Sequence, residues 1–253
     1  MFMQEQCTCI NIISLYNLSV SNMKCESAPK INPDGEMVIS SVYASYMRHL
    51  LGGDYSDCIK IVKELVASQV DFRDIYTKLF QRSLYEVGEL WEKNEIPVAH
   101  EHMVTALTEL LLTVLHPHIF RGQRCGKKAL VACAAEGTHR IGAKMVTDIF
   151  ELHGWDAVFV PTPVSIEGIL LLLDKHCPDM LGLSLTHNFH LPLLELDLKS
   201  VRNSYSQLPI ILGGRAFIDI KDDDRYRVYG AHVIRDIDSL EKRLSFKFAV
   251  KKG

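Results

Sequence analysis

No basic run marks this chain, and its charge leans to neither side: 28 Lys+Arg stand against 31 Asp+Glu, a net charge of -3 over 253 residues. That excludes the electrostatic footprint of a self-sufficient nucleic-acid binder, so no direct nucleic-acid contact is expected. Long apolar stretches are also missing. The longest runs, such as IEGILLLLDK, are too short to span a bilayer, and no membrane segment is expected. The cysteines show no pairing pattern. There are seven, at 7, 9, 25, 58, 125, 133 and 177. An odd number at irregular spacing argues against a disulfide framework and for reduced thiols in the cytoplasm. Cys7-Thr8-Cys9 lacks the second pair that a metal site would need. The opening stretch, MFMQEQCTCINIISLYNLSVSNMKC, has no basic n-region, and Asn and Ser break its apolar part. It does not read as a signal peptide.

What the chain does have is ample core material, 47% hydrophobic residues with 23% charged, which fits one or two globular domains. Residues 1–35 have no clear period, end in the turn-rich APKINPDGE, and are expected to be loosely ordered. Over 36–120 the apolar spacing is helical. Four segments follow one another: EMVISSVYASYMRHLL, YSDCIKIVKELVAS, FRDIYTKLFQRSLYEVGELWEKN and PVAHEHMVTALTELLLTVLHP. Short connections suggest an antiparallel four-helix bundle, with Pro97 suited to the first turn of the last helix. HPHIFRGQRCGKK then reads as a linker.

Over 125–253 the rhythm changes. Short apolar runs (KALVACA, DAVFV, MLGLSL, PIILGG, HVIR) alternate with helical patterns. That alternation predicts an α/β domain with a parallel sheet covered on both faces. Five strands fit a flavodoxin-like, Rossmann-like order. No internal repeat is visible.

In such sheets ligands sit beyond the carboxyl ends of the strands. Three loops leave that edge with polar or small residues: Glu136, His139 and Gly142 after the first strand; Ser184, Leu185, Thr186, His187 and Asn188 after the third; Gly213, Gly214 and Arg215 after the fourth. None is the glycine-rich loop that cradles a pyrophosphate. The imidazole of His139 is a metal ligand in its neutral form, and Gly142 removes bulk three residues on. By itself such a His also reads as structural or surface. On the fourth helix, Met103, Leu107, Leu110, Leu111 and Val114 form the expected buried stripe. His102 stands on its flank, between Ala99 and Ala106 at helical spacing. By itself it also reads as a solvent-exposed residue of the first turn, with Glu101 favourable at the positive helix end. His100 is expected to be exposed. Adjacent helical residues point apart, so His100, Glu101 and His102 do not form a zinc site.

These features resemble the cobalamin-binding domain family: a His three residues before a Gly after the first strand, a Ser-containing third loop, a Gly-Gly fourth loop, and a four-helix cap ahead. The family loop is D-x-H-x-x-G, whereas this chain reads G-T-H-R-I-G, with Gly137 in place of the Asp. The resemblance implies that His139 is the lower cobalt ligand. It also implies that the cofactor's nucleotide tail runs along a slot lined by Ser184, Leu185, Gly213 and Gly214, with Gly142 and Thr186 beside it. Loss of the carboxylate that would orient His139 counts against methyl-carrier chemistry, although Glu136 lies one position away.

Trp91, nine residues, then Glu101-His102 is similar to the cap signature of the light-sensing CarH regulators. That likeness implies adenosylcobalamin as cofactor, with Trp91 against the adenosyl group and Glu101 helping to hold it. His102 then becomes the upper cobalt ligand after light removes the group. The 35 or so residues ahead of the cap are expected to be too few and too neutral for the DNA-binding module of that family, so the chain more closely resembles stand-alone AerR-type antirepressors. The expectation is a cytoplasmic sensor, not an enzyme, which regulates transcription or signalling through a protein partner such as a transcription factor and can assemble as a homo-oligomer. A corrinoid methyl carrier of a methyltransferase system is the alternative reading, and a haem sensor of the same fold is another.

Overall fold

The structure is a computed structural model that describes residues 35–119, 124–134, 140–218, 220 and 223–248, with side chains from 38 to 244. Residues 1–35, expected to be loose, lie outside it almost entirely. So do Glu136, Gly137 and His139. The chain divides into two compact units, Met1–His118 and Ile119–Gly253.

The first unit is helical. It comprises α1 (Gly35–Gly52), α2 (Tyr55–Ala67), α3 and α4 (Val98–Ile119). α3 runs through Phe72–Asp74, a π-helical stretch Ile75–Gln81, and Arg82–Glu92. Gly53 ends α1 at φ 76°, a left-handed conformation that suits glycine. Asp71 caps α3, its carboxylate accepting from the Arg73 N–H at 2.9 Å. The core forms as the spacing dictates. Cys58, Val62 and Leu65 line one face of α2. Tyr46 of α1 and Tyr76 of α3 each lie 6.2 Å, ring centre to ring centre, from Phe80.

α4 departs from two expectations. Its buried line is Val104, Thr108, Leu111, Leu112, Leu115 and Ile119; Leu110 is exposed, and Met103, Leu107 and Val114 are half-buried. The line is turned by about one residue, roughly 100°. Thr108 is admitted to the core because its hydroxyl donates to the Val104 carbonyl at 2.8 Å. Second, α4 is by length and composition long enough and apolar enough to cross a membrane, unlike the short runs noted above. Core helices pass the same test, and the buried line places α4 in a core.

The second unit is a five-stranded parallel sheet in the order β2-β1-β3-β4-β5. Its strands are β1 (Lys128–Cys133), β2 (Asp156–Val160), β3 (Met180–Ser184), β4 (Ile210–Gly213) and β5 (Ala231–Val233). The helices are α5 (Ile141–Leu152), α6 (Ile166–His176), α7 (Leu191–Ser204), the short α8 (Asp224–Arg227) and α9 (Ile237–Phe248). This is the flavodoxin-like order read from the sequence. β1, β3 and β4 are apolar because both faces are covered. Register pairs Cys133 with Ser184 and Ser184 with Gly213, so the three strands end in one row. The strand order reverses between β1 and β3. That switch point is where open α/β sheets leave a crevice.

Candidate functional site

The row Cys133, Ser184, Gly213 opens the crevice, and the backbone beyond it is tied tightly. The Ala134 N–H donates to the Ser184 carbonyl at 2.8 Å, and the Leu185 N–H to the Gly213 carbonyl at 2.9 Å. The Ala216 N–H returns to the Leu185 carbonyl at 3.1 Å. Gly214 makes this possible. At φ 106°, a Cβ there would sit 2.3 Å from the Leu185 oxygen. The Leu185 side chain joins the apolar core of the unit, so Leu185 forms the floor of the crevice and not a wall.

Above that floor the side chains are small. Ser184 and Thr186 are half-buried. A Cβ at Gly213 would meet only the Ile234 carbonyl, at 3.4 Å. Gly142, in the first turn of α5, is exposed with nothing within 4 Å of such a Cβ. Packing within the chain therefore does not demand glycine at 142, and the space there suits an added group. Burial raises the pKa of the Cys133 thiol, against a smaller opposite pull from Arg140, which disfavours its thiolate form. His139 is outside the described residues, and its role rests on the sequence.

The helical unit carries the other residues. Trp91 stands near the end of α3, 46% exposed, outside the core. Asn94 at φ 57° and the buried Ile96 turn the chain into α4. At its start the Glu101 carboxylate does two things. One oxygen lies 2.7 Å from His102 Nδ1, and the other accepts from the Thr105 hydroxyl at 3.0 Å. Thr105 was not foreseen, although its i,i+4 spacing from Glu101 is the available signal. Glu101 is mostly buried and His102 is 68% exposed. With Nδ1 engaged, the ring is oriented, and Nε2 on its far side makes no hydrogen bond among the described residues. Ala99 and Ala106 are exposed on either side, so His102 stands clear of bulk.

His100 is a correction. It is half-buried, not exposed, and its Nδ1 is buried without a hydrogen-bond partner among the described residues. Four residues before Val104, it belongs to the core-facing line of α4.

Two family models, each described as a B12 binding domain, match this chain, over residues 42–116 and 127–236. Among solved structures, the monomethylamine corrinoid protein of Methanosarcina barkeri is 19% identical, with a TM-score of 0.69, over 82% of this chain and 99% of that one. The methanol:cobalamin methyltransferase complex MtaBC of the same organism is 15% identical, with a TM-score of 0.46, over 99% of this chain and 95% of that chain. A cobalamin-binding protein of Desulfitobacterium hafniense DCB-2 is 17% identical, with a TM-score of 0.41, over 80% and 96%. At such identities the first shows the fold, and the other two carry no argument. No curated protein matches the chain. The two family models together cover most of the helical unit and the whole strand row, small-residue crevice included, and the chain belongs to the B12-binding domain family.

Proposed function

We propose that this protein is an adenosylcobalamin-dependent light sensor that signals through protein contacts and catalyses no reaction itself. One observation carries the reading. Glu101 holds His102 by one ring nitrogen and leaves the other exposed, on a helix whose neighbouring positions are alanines, ten residues past an exposed Trp91. A His oriented by a carboxylate, with its second nitrogen available, is the arrangement of a metal ligand.

Adenosylcobalamin supplies a light-labile cobalt–carbon bond. Trp91 offers a rigid aromatic face to the adenine of its upper group. Glu101 fixes the ring of His102, whose Nε2 would be available as a cobalt ligand. His139 would ligate the cobalt, and the crevice floored by Leu185 and edged by Ser184, Gly213 and Gly214 would take the nucleotide tail. Output through a protein partner is supported by the sheet unit. There Leu171 of α6 and Leu193 and Leu196 of α7, two helices that pack together, stand exposed.

The test is an absorption spectrum of the purified protein loaded in the dark, before and after green light. A corrinoid spectrum that changes irreversibly with light is expected. A corrinoid spectrum indifferent to light leaves the methyl-carrier reading and removes the sensor. A Soret band without corrinoid bands leaves the haem reading.

A further inference from the structure

On the sheet unit, α6 and α7 pack together and carry two carboxylates among exposed leucines. Ile169 and Leu173 of α6, with Leu194, Leu198 and Val201 of α7, join the core with the strands. The positions opposite them turn outward. Leu171 is 69% exposed and Leu196 63%, and Leu193 is exposed as well, so no core claims them. Glu167 lies one turn before Leu171, and Asp197 one turn after Leu193. Asp197 is half-buried and makes no hydrogen bond or ion pair among the described residues. Burial, and then the nearby Glu167, raise its pKa above the ordinary value. Glu167 stands in the first turn of α6, where hydrogen bonds from its own backbone N–H and from Ser165 lower its pKa and keep it charged.

The other ionisable groups of the two helices are engaged or lie elsewhere. Asp174 accepts from the Tyr205 hydroxyl, and Glu195 pairs with Arg225. Arg202 donates to the carbonyls of Tyr205, Ser206, Leu208 and Tyr229. Lys199 stands about 200° round α7 from Asp197. Lys175 is in the last turn of α6, where the negative helix end favours it.

Two like charges held close together, one of them partly desolvated, attract a cation, and the leucines attract apolar surface. A second copy of this face would set its own acid pair against this one, and an anionic membrane would be repelled. The groove between two packed helices suits a third helix. We propose that the α6–α7 face docks an amphipathic helix of a partner protein, with a Lys or Arg inside its apolar stripe to meet Glu167 and Asp197 and apolar residues on either side to cover Leu171, Leu193 and Leu196. The inference rests on the reading that the protein signals through protein contacts, and it names the chemistry of the partner.

The test uses the purified full-length protein and two synthetic amphipathic helices with the same leucine stripe. One has lysines within the stripe, and the other has glutamates at those positions. Binding is read by fluorescence anisotropy. Wild type should bind the lysine peptide about tenfold more tightly than the glutamate peptide. Glu167→Lys with Asp197→Lys should reverse that preference. Leu171→Ser, Leu193→Ser and Leu196→Ser together should weaken both peptides about tenfold or more. A wild type without preference, a preference that the lysine variant keeps, or binding indifferent to the leucine substitutions would overturn the proposal. So would dimerisation in solution, or capture by phosphatidylserine vesicles, that the leucine substitutions abolish. If the lysine variant does not fold, as judged by its thermal transition, Glu167→Gln with Asp197→Asn should erase the preference. An absorption spectrum indifferent to light is a separate result: it removes the sensor, and the peptide preference still decides the docking face.

Discussion

Two glycines that a sequence treats alike have opposite physical reasons to be glycine. Gly214 has a backbone conformation, φ 106°, that side chains resist, and a Cβ there would collide with the Leu185 backbone. Gly214→Ala must therefore part the β3 and β4 loops. We expect a loss of about 2–3 kcal/mol in urea unfolding, together with weaker cobalamin binding. Gly142 lies in a helix with open space where a Cβ would be. Gly142→Ala should leave stability unchanged or raise it by up to about 1 kcal/mol, since alanine is the better helix former. It should nevertheless weaken cobalamin binding, measured by absorption titration. A Gly142→Ala protein that binds like wild type would show that the space is incidental. At this scale the sequence was informative about residue type and silent about reason. It also placed His100 in solvent, because nothing in a one-residue alternation of His, Glu and His tells which ring follows the core line of the helix.

The elements themselves were largely readable. β1, β3 and β4 are short apolar runs closed by small residues, the pattern of strands buried on both faces. α4 was read one residue out of phase because it has more apolar residues than its buried line needs. With Leu107, Leu110 and Val114 all apolar, only tertiary packing decides which face turns in, and it chose the face that includes Thr108. The π-helical stretch Ile75–Gln81 was unreadable, since widening a turn requires no particular residue. A π segment amounts to one residue inserted into an α-helix. Deleting Thr77, a half-buried residue whose hydroxyl bonds the Arg73 carbonyl, should let α3 close to regular α geometry with its later residues still in phase. Deleting the exposed Tyr85 from the regular part should instead turn the buried Val87 out of the core, by about 100°. Circular dichroism and thermal unfolding should show a folded Thr77 deletion. The Tyr85 deletion should be weakened by about 1.5–3 kcal/mol, the burial value of such a side chain. Equal damage from both would mean that the extra residue is itself needed for packing.

For the molecule as a whole, sensing requires that some interaction differ in free energy between two states. A ligand equally at home in both shifts nothing, and moving a population from one per cent to ninety-nine takes about 5.5 kcal/mol. On the proposed sensor reading, His102 would supply such a difference. Held by Glu101 at 2.7 Å and exposed at its far nitrogen, it would, on that reading, reach cobalt only once the upper position is vacant. His102→Ala should then bind adenosylcobalamin in the dark like wild type and still lose the upper group in green light. It should end with water as the upper ligand, so its lit spectrum differs from the wild-type lit spectrum while the dark spectra agree. Whatever change in self-association or partner binding light produces in wild type should be reduced or lost in the variant, as read by solution mass with and without illumination. Glu101→Gln should fall between the two, because the ring remains but its orienting charge is gone. A His102→Ala protein whose lit spectrum and mass match a fully light-responsive wild type would leave the sensor standing and assign its switch to other residues.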